Sequence, residues 1–131
     1  MGMDLLGRRG DFRFSGGSWW WILKLAYDYG WKPKGTRPSQ ITTDCDVKEW
    51  DGSYFFNMFQ EVDAADAKNI ARALEKVIKD IPDKPNRKAH WLARHDKDEK
   101  VTPFEYWSGK VRKRYIKAFI KFCKAGAFNI G

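Results

Sequence analysis

The chain is short of the residues that most chemistry needs: two cysteines and two histidines in 131 positions, and in the final 31 residues a single acid, Glu105. Cys45 and Cys123 stand far apart, which argues for reduced thiols and a cytoplasmic setting rather than a disulfide framework. Cys123 falls on the apolar side of a helical pattern, where a small buried hydrophobe is expected. No window approaches the ~18 uncharged apolar residues of a membrane span, and residues 1–9 hold no apolar run of signal-peptide length. Leu6 occupies the position at which a myristoylation signal needs Ser or Thr. Internal repeats and low-complexity tracts are missing too, so the expectation is one stand-alone domain over 1–131.

Aromatics are plentiful, at 16 % with seven Trp, so a packed core is expected despite a charged fraction of 32 %. The net charge of +8 is unevenly spread. Between 41 and 66 only Lys48 opposes Asp44, Asp46, Glu49, Asp51, Glu61, Asp63 and Asp66, whereas residues 101–131 set seven cations against Glu105. An acidic middle and a basic end either pair within the fold or polarise its surface, and both remain open at this level.

Local patterns predict three main helices. Ser18 is placed to cap a helix to Tyr29, with Gly30 as its stop and Trp19, Ile22, Leu23, Ala26 and Tyr29 on one face. Asp63 caps a second, near 64–81, whose stripe of Ala67, Ile70, Ala71, Leu74, Val77, Ile78 and Ile81 marks it as a core helix. Thr102, Pro103 and Glu105 open a third, near 103–125, that ends at Gly126. Short strands are expected near 11–14 and 54–57, and an edge strand near 127–130. Residues 83–102 read as a charged excursion with one helical turn around Ala89 to Ala93. The sum is an α+β domain with a small antiparallel sheet or extended layer, with an all-α arrangement as the alternative.

Several sharper motifs fail on spacing. His90 and His95 lie about 140° apart on a helix and do not converge on a metal. Asp44 and Asp46 resemble the opening of a calcium loop, but Glu49 and Phe55 stand where Gly and a carboxylate are required. Gly7, Gly10, Gly16 and Gly17 form neither phosphate-binding nor dinucleotide fingerprint. No catalytic, cofactor-binding or metal-binding residue is therefore assigned; a small enzyme with a site near His90 and His95 stays as an alternative.

The strongest functional signal is a ridge on the last helix. Lys110, Lys113, Arg114, Lys117, Lys121 and Lys124 fall within about 100° of one another, opposite an arc of Val111, Tyr115, Ala118, Phe119, Phe122 and Cys123. Arg112 points into that arc and needs a carboxylate, for which an acid of the 44–66 stretch is the natural candidate. Trp21 projects on the polar side of the first helix, either covered by a neighbouring segment or serving as a contact residue. The ridge with Trp21 points to non-catalytic binding of an acidic macromolecule, either an acidic protein or nucleic acid, without cofactor or membrane.

The run Met1-Gly2-Met3-Asp4-Leu5 with Gly7-Arg8 and Phe12-Arg13-Phe14, then Tyr29-Gly30-Trp31-Lys32-Pro33-Lys34-Gly35-Thr36, Trp50-Asp51-Gly52-Ser53-Tyr54 and Val62-Asp63-Ala64-Ala65-Asp66-Ala67, resembles a group of small bacterial proteins of unassigned function. The likeness covers most of residues 1–82 and Phe119 to Gly126, and leaves the excursion peculiar to this chain. It implies a compact, stand-alone bacterial or phage domain and transfers no active site; by analogy alone, small free-standing proteins of this sort often act by binding and blocking a larger assembly.

Overall fold

The computed structural model describes residues 2–39, 50–95 and 100–131. Cys45, Asp44, Asp46, Glu49 and most of the charge cluster at 96–100 lie outside the described residues. The chain forms an α+β domain in which one face of a four-stranded antiparallel sheet packs on helices.

Strands β1 (Gly2–Gly7) and β2 (Asp11–Ser15) make a hairpin; β3 (Gln60–Val62) and β4 (Phe128–Ile130) complete the order β2-β1-β4-β3. Alternation sends Met3, Leu5, Phe14, Val62, Phe128 and Ile130 inward, all buried. The opposite face carries Asp4, Arg13, Glu61 and Asn129. Both outer strands are covered: the Tyr115 hydroxyl donates to the Arg13 carbonyl beside β2, and Arg37 exchanges backbone hydrogen bonds with Glu61 of β3 at 2.8 and 2.9 Å.

Three sheet expectations change. β1, where the sequence patterns place no strand, is an interior strand, because Gly7 and Gly10 close its hairpin with β2 (Gly7 N to Gly10 O 3.0 Å). Residues 54–57 form a bend and not a strand: the Ser53 hydroxyl accepts from Phe55 N at 3.1 Å, and the buried Gln60 amide donates to the Phe56 and Ser53 carbonyls. β4 is no edge strand either, since it inserts between β1 and β3.

Helix α1 (Gly16–Asp28) is capped three residues earlier than expected, by Ser15 and not Ser18, because Ser15, the last residue of β2, accepts from Ser18 N at 3.1 Å. Helix α2 (Ala64–Ile78) starts as predicted, with the Asp63 carboxylate accepting from Asp66 N at 2.8 Å, but ends before Ile81, which is buried just beyond it. The excursion contains a fuller helix than one turn, α3 (Arg87–His95).

The third predicted helix is two. α4 (Pro103–Tyr106) has the expected Thr102–Glu105 capping box, and α5 (Lys110–Lys124) follows after a break at Gly109, φ 105°. There the Gly109 and Lys110 amides donate to the carbonyls of Pro82 and Asp83 at 2.9 and 3.0 Å. A Cβ on Gly109 would stand 3.1 Å from the Pro85 ring, so glycine is required by closeness as well as by φ.

The core lies where α5 and α2 pack together beneath the sheet. Phe119 meets Phe14 edge-on at 4.8 Å and Trp19 at 6.0 Å, and Ile70, Leu74, Ile116 and Ile22 close around them. Among the described residues one carboxylate is inside: Asp66, fully buried, accepts from the Trp31 indole at 2.8 Å and from the Tyr54 hydroxyl at 2.6 Å. Burial and the Asp66 charge push the Tyr54 phenol well above its ordinary value, so it stays a donor. The free thiol of Cys123 is buried as expected, and burial pushes it well up.

Candidate functional site

The surface of α5 divides into four lengthwise sectors. Ile116, Phe119, Ile120 and Cys123 face the core. This is a correction to the expected arc: Val111, Tyr115 and Ala118 are exposed, Val111 at 71 %, and the buried sector is turned toward Ile116 and Ile120. The reason is the hairpin, whose β2 residue Phe12 takes the place alongside Tyr115 and Phe122 and leaves the Val111–Ala118 side to solvent.

Next to the core sector lie Lys113 and Lys124, two ridge cations that the fold neutralises. Lys113 Nζ is 2.8 Å from Asp83 and Lys124 Nζ is 3.0 Å from Glu75 of α2. Lys113 holds the Asp83 carboxyl below the usual range, helped by Lys110 and Lys117. The charge of these two is matched within the molecule.

The third sector is a stripe of Lys110, Arg114, Lys117 and Lys121. All are exposed, and none makes an ion pair among the described residues. Their positions fall within about 60° of one another and rise over about 16 Å, one straight row of cations. The fourth sector, flanking that row, is apolar and open: Val111, Ala118, Ala125 and the half-buried Phe122.

The apolar sector runs into a groove of about 530 Å³ between the hairpin turn and the end of α5, lined by Phe12, Phe122, Ala118 and Ala127, with Arg8, Arg9, Lys121 and Lys124 at its rim. Gly7 makes the groove possible: a Cβ there would come within 2.7 Å of the Phe122 ring. Sequence patterns give no warning of it, because it joins residues more than a hundred positions apart; the glycines at 7 and 10 are its only local sign.

The acids of 41–66 that are described pair elsewhere than on α5. Glu61 holds Arg8 at 2.9 Å, Asp63 holds Lys34 at 2.6 Å and Arg37 at 3.1 Å, and Asp66 takes its two neutral donors. Arg112 likewise finds no described carboxylate. Its guanidinium donates to the Tyr106 carbonyl and lies 4.5 Å from the centre of the Tyr106 ring. Burial lowers its pKa, an effect the Tyr106 phenol opposes. The other side of this stack is Trp21, nearly parallel to Tyr106 at 4.7 Å, so Trp21 is a packing residue and not a free contact residue. The exposed aromatics of that region are instead Trp20, Tyr27 and Phe55, around a small apolar hollow of about 170 Å³.

His90 and His95 do not converge. His90 Nε2 is 3.2 Å from the Ser108 hydroxyl, which also accepts from Asn86 N at 2.8 Å and donates to the Glu105 carbonyl at 2.7 Å; His95 lies against Trp91. Burial, then the Arg112 charge, lowers the His90 pKa. Among the described residues no group of three His, Cys, Asp or Glu is placed to hold a metal ion, and no helix is long and apolar enough to cross a membrane. Comparison with protein families, curated proteins and solved structures finds no match for this chain.

Proposed function

We propose that the protein is a non-catalytic binding module that engages an acidic macromolecule through Lys110, Arg114, Lys117 and Lys121. The supporting observation is the mismatch on α5: the two cations nearest the core have carboxylates within 3.0 Å, and the row beside them has none among the described residues. Like charges at helical spacings of three and four repel by a few tenths of a kcal/mol per pair. A row held in that state draws an anionic partner, which relieves the repulsion and gains in approach rate.

The reading is tested with simple polyanions, poly-glutamate and a single-stranded oligonucleotide, titrated against the protein and against the paired reversals K110E/R114E and K117E/K121E. Binding is expected to weaken at least tenfold per reversed pair and to fall as salt rises. Unchanged binding by both reversals, or no binding of either polyanion at low salt, removes the stripe from the account.

A further inference from the structure

We infer that the macromolecule is an acidic protein segment bearing aliphatic or aromatic side chains, one of which seats in the groove between the β1–β2 turn and the end of α5. The inference rests on the stripe as a binding surface and specifies its partner. It comes from the two sectors lying side by side: the row Lys110, Arg114, Lys117, Lys121, and next to it the open apolar sector Val111, Ala118, Phe122, which continues into the groove. A ligand that satisfies both presents negative charge along one edge and apolar groups along the other, as an amphipathic peptide does in a helix groove.

The groove fits such an occupant in shape and charge. Its floor is Phe12 and Phe122, centroids 5.7 Å apart and tilted by 36°. Phe12 also packs on Phe14, Tyr115 and Phe119, so these rings are engaged with one another and the groove offers a wall to an inserted side chain rather than a flat platform for a base. A volume of about 530 Å³ exceeds that of any single side chain and admits one with its flanking backbone. On the rim, Arg8 is held by Glu61 and Lys124 by Glu75, while Arg9 and Lys121 make no ion pair among the described residues. The lining carboxylate, Asp11, leaves the rim positive. Carboxylates beside the anchoring side chain would meet Arg9 and Lys121, which is the complementarity that selects an acidic segment over a neutral apolar one.

The test uses short labelled peptides of equal net charge, one alternating Glu with Ser and one alternating Glu with Leu, and an oligothymidylate of the same charge, read by fluorescence anisotropy. The Glu/Leu peptide is expected to bind roughly tenfold more tightly than the Glu/Ser peptide, the gain from burying one aliphatic side chain. Ala118→Trp fills the groove from an exposed position and should erase that preference while leaving the Glu/Ser affinity within about twofold; its melting curve checks the fold. Equal affinity of the two peptides for the unmodified protein, a preference that survives Ala118→Trp, or tighter binding of the oligothymidylate than of either peptide overturns the inference. In each of these the salt-dependent binding to the stripe still stands. Failure of all three probes to bind at low salt overturns the stripe and the inference together.

Discussion

The outer face of the sheet and the outer face of α5 both look away from the core and both carry cations, yet they are built differently. On the sheet every cation that projects beside a carboxylate is matched: Arg13 with Asp4 across the hairpin at 2.5 Å, Arg8 with Glu61 at 2.9 Å, and Arg37 with Asp63 at 3.1 Å. On α5 the matching stops after Lys113 and Lys124. Exposed pairs are worth little in energy, and so the difference matters less for stability than for what the surface presents. The sheet face holds these charges in pairs. The α5 face projects a field.

The two faces share one foundation, and removing it should give the largest effect. Phe119 lies beneath α5 and against Phe14 of β2, so Phe119→Ala is expected to destabilise by about 3–5 kcal/mol, seen in urea unfolding, and to weaken anion binding only in step with the fraction unfolded. Loss of binding in a fully folded Phe119→Ala protein would break the separation of core from surface.

A middle-sized effect should sharpen the contrast on the matched side. Lys34, first, then the Asp66 amide and Arg37 hold the Asp63 carboxyl below its ordinary pKa. Its contribution is therefore present above the unfolded value of about 3.9 and is lost as pH falls through the lower folded value. Asp63→Ala should cost about 0.5–2 kcal/mol at neutral pH as a lost helix cap, and the gap between the two unfolding curves should close in acid. A gap independent of pH would mean the charge has no part in it.

The smallest effects should differ in sign. Arg13→Gln removes half of an exposed matched pair and is expected to cost between 0 and about 1 kcal/mol. Arg114→Gln relieves repulsion toward Lys110 and Lys117 and should stabilise by a few tenths of a kcal/mol while reducing anion affinity. Thermal melts of the two single variants, run side by side at low salt, decide it; the same sign for both would show that the two faces are not electrostatically distinct.

Much of the fold was legible where short-range chemistry dictates structure. Asp63 before an alanine-rich apolar stripe, and Thr102-Pro103 with Glu105, are local signals, and both caps are in place. What stayed hidden depends on distant partners. β1 has only Met3 and Leu5 as inward residues, and its identity as a strand comes from pairing with β2 and β4. The break between α4 and α5 comes from the Pro82 and Asp83 carbonyls accepting from the Gly109 and Lys110 amides, which no helical periodicity in 103–125 could reveal. The cationic row was legible from the 3.6-residue period, but which of its members remain unmatched was not, since Asp83 and Glu75 reach α5 only in three dimensions. Of the two readings left open for Trp21, covered or free for contact, the structure bears out the covered one, and the sequence could not name the cover, Tyr106 of α4.

The clasp between residues 82–83 and 109–110 works as a neck. Because backbone groups on both sides of the excursion are tied there, and Ser108 fastens Asn86 just above, the start of α5 is anchored at the neck itself. Closing a longer or shorter loop at such a neck changes its entropic cost only slowly with length. The length of the excursion beyond α3 can thus change, by evolution or by design, while the row of cations keeps its address on the surface.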